Sequence, residues 1–173
     1  MKIMIHGLTK LNAAEKNKII RSLKKGEAVI DSPVWFNAIS GLRFTGTSKT
    51  GTEIAKMIRS GEDYKPYGKD GVIDIEIEGF YKNSSTVGYT YLNRLKTYIN
   101  RKFLRQFTED EVFGHIMHEL MHRMGFSHDS STDKKSDVAY LVGYASRDAF
   151  EEYYSMPRPF TVSCSGPSIS FEY

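Results

Sequence analysis

The sequence predicts an α+β fold, and two kinds of residue spacing carry this prediction. Apolar residues alternate with charged ones over 72–78, which is the period-two pattern of a half-exposed strand. Apolar residues recur at helical spacing over 108–124 and again over 136–154. The 173 residues fit one domain. We expect an N-terminal lobe of about residues 1–125 and a small C-terminal lobe of about residues 126–173.

A strand and a helix are predicted at the start of the chain. Ile3 and Ile5 alternate with polar or mixed neighbours, as in a strand. Asn12 and Glu15 have the spacing of a capping box, in which each side chain accepts from the backbone N–H of the other. The helix that they begin is expected to run to about Lys25 or a little further.

Two shorter helices are predicted next. The segment 31–33, Asp-Ser-Pro, has the residue types of a helix start, and the helix after it carries Trp35. A third helix is expected over Thr52–Arg59, closed by Gly61.

The middle of the chain predicts sheet. After the alternating strand at 72–78, a polar turn at 83–85 precedes Thr86–Leu92, which is rich in Thr, Val and Tyr. We expect a further strand over Thr97–Leu104.

Two longer helices are expected in the last third of the chain. Thr108 begins the first with a capping-box spacing, and Gly125 after about Met124 suits the left-handed conformation that ends a helix. The second runs from about residue 136 to Tyr154, and the tail from Met156 is expected to be irregular or extended.

Composition narrows the classes of function. Lys plus Arg is 24 and Asp plus Glu is 21, so the net charge of +3 is too small to indicate a nucleic-acid partner. The single cysteine, Cys164, excludes an intrachain disulfide. No stretch is apolar enough for a membrane span, and the first twenty residues do not read as a signal peptide. We therefore expect a cytoplasmic protein, or a virion-associated one if a phage encodes it.

Five residues in one short run carry the functional prediction. His118 and His122 lie four apart on the predicted helix, so they project from one face about 40° and roughly 6 Å apart and can share one zinc ion. Glu119 points toward the same cleft and can hold water. Gly125 turns the chain back so that His128 reaches the same metal. Three histidines leave the fourth zinc position open, which is typical of catalytic sites.

This run resembles the extended signature H-E-x-x-H-x-x-G-x-x-H of the metzincin metallopeptidases, which it matches at all five positions. Asp129, after the third histidine, is similar to the adamalysin type, although the disulfides of that group are missing. The segments Thr86–Leu92 and Thr97–Leu104 stand where metzincins place two strands before the active-site helix. The whole chain also resembles short metzincin-like proteins of phages and bacteria.

The resemblance implies a metzincin-like fold with a twisted mixed sheet, an antiparallel edge strand, backing helices, an active-site helix and a small C-terminal lobe. It implies a single catalytic domain that binds one Zn²⁺ through His118, His122 and His128. The expected activity is that of a zinc-dependent endopeptidase. Zinc lowers the pKa of its water toward about 7, and Glu119 as general base takes the proton and passes it to the leaving amine.

The edge strand is expected to bind a peptide or protein substrate as an added antiparallel strand. The residues of this substrate strand are Val87, Gly88, Tyr89, Thr90 and Tyr91. No nucleic acid or membrane partner is expected, and the protein is expected to be a monomer.

The chain departs from the metzincin pattern at the methionine turn beneath the zinc. Either Met156 forms this turn, or the stretch from Asp137 to Tyr140 forms the floor without methionine and Tyr140 approaches the metal or the oxyanion. His115 is either an alternative zinc ligand or a residue that does not bind the zinc directly. Cys164 is either an inhibitory zinc ligand or a plain free thiol.

Two other functions remain open at this point. One is a non-catalytic zinc-containing structural or binding module, for example a phage virion component. The other is a zinc amidase that acts on cell-wall peptides. The carboxylate of Glu119 favours an enzyme, because a scaffold has no chemical need for it.

Overall fold

The computed structural model describes residues 1–63, 68–92, 94–128 and 136–157. These residues form one four-stranded mixed sheet and six helices, which confirms the α+β prediction. Among the described residues, no helix combines the length and the apolar composition that crossing a membrane requires.

The sheet has the order β1-β2-β4-β3. Its strands are β1 (Lys2–Thr9), β2 (Val72–Phe80), β3 (Gly88–Thr90) and β4 (Lys96–Asn100). β1, β2 and β4 run parallel, and β3 pairs antiparallel with β4 at the edge. The expected strand at 72–78 is confirmed, and its alternation places Ile73, Ile75 and Ile77 in the core.

Six helices surround this sheet. They are α1 (Ala13–Asp31), α2 (Pro33–Ser40), α3 (Gly51–Arg59), α4 (Arg101–Gln106), α5 (Glu109–Arg123) and α6 (Val138–Ser155). α1 begins at the predicted capping box, with Asn12 N 2.9 Å from Glu15 Oε2. It extends beyond the expected end near Lys25, because Val29 and Ile30 continue its buried face.

The prediction of a strand over Thr97–Leu104 is wrong in its second half. The strand ends at Asn100, whose side chain accepts a hydrogen bond from Lys102 N at 3.1 Å and so starts α4. At the other end of α4, Lys18 of α1 donates to the carbonyl oxygen of Leu104 at 2.9 Å. Both ends of this short helix are therefore capped, and the second cap comes from a residue distant in sequence.

The predicted edge strand is shorter than expected. Of Thr86–Leu92, only Gly88–Thr90 pairs as a strand, with Tyr89 opposite Tyr98. Val87 keeps one sheet-like bond, because its carbonyl accepts from Asn100 N at 2.7 Å.

α5 is the helix that carries His118 and His122, and it packs between other helices. It packs against α1 on one side and α6 on the other. α5 and α6 approach closely at Gly114 and Gly143, since a Cβ on Gly143 would lie 3.0 Å from Gly114 O and from the Cβ of His118. This close approach holds α6 beside the histidines of α5.

Candidate functional site

Two histidines project from the last turns of α5 toward one point. His118 and His122 lie one helical turn apart, and their Nε2 atoms are 3.2 Å from each other. This is the arrangement that the spacing of four residues predicts.

A glycine turn brings the third histidine to the same point. Gly125 has φ of 95°, and its N–H bonds to His122 O at 3.1 Å while Phe126 N–H bonds to Met121 O at 3.0 Å. This pair of bonds is the Schellman motif, which turns the chain sharply after a helix. His128 consequently returns with Nε2 only 3.1 Å from His122 Nε2.

The other ring nitrogens of two of these histidines are already engaged. His122 Nδ1 lies 2.7 Å from Phe126 O, and His128 Nδ1 lies 3.0 Å from Asp137 Oδ2. Both partners are acceptors, so each Nδ1 carries the proton and, in the neutral ring, each Nε2 presents a lone pair. Two lone pairs that face each other at 3.1 Å repel unless a cation lies near them.

The histidine cluster fits a zinc ion. The ligand nitrogens of His118, His122 and His128 all lie within 4.8 Å of one another. Zinc bonds of about 2.0–2.1 Å in a tetrahedral arrangement hold nitrogens roughly 3.3 Å apart, close to the two distances measured from His122. Burial lowers the pKa of His118 to about 3 and also lowers that of His122, so both rings are neutral and able to bind metal near pH 7.

Asp137 ties the third histidine to the start of α6. Its Oδ1 accepts from Tyr140 N at 3.1 Å as the helix N-cap, and its Oδ2 accepts from His128. Burial alone would raise the pKa of this carboxyl, but the His128 and backbone hydrogen bonds hold it below its usual value. The N-cap position is recognisable from sequence, whereas its contact with His128 requires the folded chain.

Glu119 is a buried carboxyl beside the histidines. It is 2% exposed, and its Oε2 has no hydrogen-bond partner among the described residues. Burial raises its pKa to about 7, and the Thr90 hydroxyl opposes this rise. A carboxyl with a pKa near neutrality can both accept and release a proton at physiological pH.

His115 stands apart from the three-histidine cluster. Its ring is stacked 6.3 Å from that of His118, centroid to centroid, and its Nε2 is 3.7 Å from Glu119 Oε1. Burial lowers its pKa to about 4. The position therefore favours a role next to Glu119 over one as a zinc ligand.

The two candidates for the site floor lie at opposite ends of α6. Tyr140 is in its first turn, with the ring 4.7 Å from His118 and 4.8 Å from His128 between centroids. Met156 follows the last turn and is 42% exposed. At about 1.5 Å per residue the helix separates them by roughly 24 Å. The expectation that Met156 lies beneath the histidines is therefore wrong, and Tyr140 occupies the neighbouring position instead.

A cleft of about 630 Å³ opens beside the histidines between β3, α5 and α6. Four residues of the predicted substrate strand line it, namely Val87, Gly88, Tyr89 and Thr90. Tyr91 lies beyond β3 and is 61% exposed. On the opposite wall, Tyr140, Tyr144 and Arg147 come from α6.

Comparison with models of known protein families, with curated proteins and with solved structures found no match. Asp129, which the adamalysin comparison uses, and Cys164, the possible inhibitory ligand, lie outside the described residues.

Proposed function

We propose that this chain is a zinc-dependent endopeptidase of the metzincin type. His118, His122 and His128 hold the metal, and Glu119 is the general base. One observation carries the proposal: three Nε2 atoms face one point beside a buried carboxyl oxygen that lacks a partner among the described residues. A purely structural metal site would use a fourth protein ligand and has no need of that carboxyl.

The chemistry divides between the metal and the chain. A bound zinc ion supplies Lewis acidity, which polarises a carbonyl oxygen and makes water acidic enough to ionise near pH 7. Glu119 takes the water proton as general base and then delivers it to the leaving amine. Tyr140, beside His118 and His128, is the candidate donor to the oxygen on which negative charge develops.

Peptide recognition is assigned to the edge of the sheet. β3 has a sheet partner on one side only, β4, and the cleft runs along it. An extended peptide can add there as a further strand, with affinity from backbone hydrogen bonds. The order of the sheet, with an antiparallel edge strand next to a zinc-binding helix, is what supports the metzincin-like assignment.

The test combines metal analysis with a peptide-library digest. We expect zinc in the purified protein, cleavage of extended peptides, loss of cleavage with a chelator and its return on adding zinc. A parallel digest of cell-wall peptides distinguishes an amidase from an endopeptidase. Zinc without cleavage of any peptide would favour the structural or binding module, and failure to bind zinc would refute the proposal.

A further inference from the structure

The surroundings of Glu119 leave two buried polar atoms without partners. Glu119 Oε2 and His115 Nε2 both lack a hydrogen bond among the described residues. His115 Nε2 lies 3.7 Å from Glu119 Oε1, which is just too long for a hydrogen bond. Because buried polar atoms nearly always have partners, two such atoms side by side require an explanation.

The edge strand carries Thr90, which lines the same cleft as Glu119. Thr90 on β3 lies opposite Thr97 on β4, with 3.0 Å between their Oγ1 atoms. Each hydroxyl has one proton. When Thr97 donates to Thr90, the Thr90 proton is free to point into the cleft that Thr90 and Glu119 both line.

The same strand also restrains His115. A Cβ on Gly88 would lie 2.3 Å from His115 Nε2, so the ring fits only because residue 88 has no side chain. The ring is also flanked by Phe107, 6.4 Å away between centroids. β3 therefore contacts His115 through the backbone of Gly88 and presents the Thr90 hydroxyl to the cleft that contains Glu119.

We propose that Thr90 and His115 are positioning residues that hold the Glu119 carboxyl between β3 and α5. Catalytic hydrogen bonds are often long before substrate binds, which agrees with the 3.7 Å distance. This inference rests on the proposed function, in which Glu119 is the general base.

The experiment compares two pairs of variants in the zinc-loaded, full-length protein. Thr90→Val removes the hydroxyl at constant shape, and Thr90→Ser keeps it. His115→Leu removes the ring nitrogen, and His115→Gln places an amide nitrogen near the position of Nε2. Thr9→Val, on the far strand of the sheet and exposed, is the matched control for a threonine-to-valine change in a strand.

We expect Thr90→Val and His115→Leu each to lower kcat about tenfold, while KM changes less than about twofold. A loss of this size corresponds to one hydrogen bond to a charged group that is made in the transition state. Thr90→Ser and His115→Gln should recover most of this loss, and Thr9→Val should match the parent. Zinc content and melting temperature are measured for every variant. Unchanged kcat, conservative variants no better than the disruptive ones, or losses that follow zinc content would each overturn the inference.

Crystal structures of the metal-free variants give a readout independent of activity. In Thr90→Val and His115→Leu the Glu119 carboxyl should move by more than about 0.5 Å, the tolerance of a catalytic group, and in Thr90→Ser it should stay in place. An unmoved carboxyl in both disruptive variants would overturn the inference. If the parent protein cleaves nothing, the proposed function fails, and these structures still decide whether Thr90 and His115 hold Glu119.

Discussion

Glu15 and Glu119 are both buried carboxyls on helices, and the fold shifts their pKa values in opposite directions. Glu15, 4% exposed, receives hydrogen bonds from Arg101 and Arg105 at 2.9 and 3.0 Å and from the Asn12 backbone at 2.9 Å. Burial alone would raise its pKa, but the Asn12 N–H and the two guanidinium groups hold it below its usual value. Glu119, 2% exposed, has no such cation within the part of the chain that the structure describes, and burial raises its pKa to about 7.

The contrast separates a carboxyl that stabilises the fold from one that is available for chemistry. A buried charge with partners joins α1 to α4, and losing a partner costs stability. A buried carboxyl without a cationic partner costs stability when it ionises, and it persists where a reaction needs a proton acceptor. Three substitutions at these two residues test this difference, and a fourth tests a carboxyl that orients a histidine; they follow from the largest expected effect to the smallest.

Glu119→Ala should abolish peptide cleavage while the protein keeps its zinc. General acid–base groups contribute about 10²–10⁴-fold to rate, and a loss in kcat of that size is expected. The measurements are steady-state kinetics and zinc content on the same preparation. Glu15→Gln is the matched control and should leave kcat per folded molecule unchanged. A fully active Glu119→Ala protein would refute the assignment of Glu119 as the general base.

Glu119→Gln should stabilise the metal-free protein at high pH. The folded-state pKa of about 7 lies above the ordinary 4.5, so the parent loses stability as pH rises from about 4.5 and levels off above about 7. The variant lacks this penalty, and its advantage should grow to at most about 3 kcal/mol. Urea unfolding with chelator at pH 5 and pH 8 measures it. An advantage that is equal at both pH values would contradict the raised pKa.

Glu15→Ala should destabilise the fold by about 2–3 kcal/mol, since it breaks an ion-pair cluster of which only the carboxylate is fully buried. The pH dependence has the opposite sign from that of Glu119. The Glu15 pKa is lowered on folding, so its contribution is present above the ordinary carboxyl pKa and fades as pH falls through the folded value. Urea unfolding at pH 7 and pH 3 tests this, and a loss that grows toward acid would be inconsistent with it.

Asp137→Asn should weaken zinc binding about 10–100-fold, the usual effect of a residue that orients a metal ligand. The asparagine still caps α6, so the melting temperature of the metal-free protein should change little. Competition with a zinc indicator measures the affinity. Unaltered affinity would show that the 3.0 Å contact with His128 does not orient the ligand.

The features of this protein that could be predicted are those set by residues close together in the sequence. The positions of α5, of its capping start and of the turn at Gly125 follow from residues within a few places of one another. The three histidines and Glu119 lie in that stretch, so their shared direction was also predictable. The α4 helix was not, because its C-terminal cap is Lys18, more than eighty residues earlier.

The sequence by itself determined the described helices other than α4, the alternating central strand and the residues able to hold a metal, because period, capping and motif are local properties. Only the tertiary structure decided that Tyr140 rather than Met156 stands beside the histidines, and that Asp137 binds His128. It also decided that, over the described ranges, Glu119 is buried without a cation beside it, whereas Glu15 has two. The physical reason is that burial and pairing depend on which distant segments pack together, and that packing sets the pKa of each carboxyl.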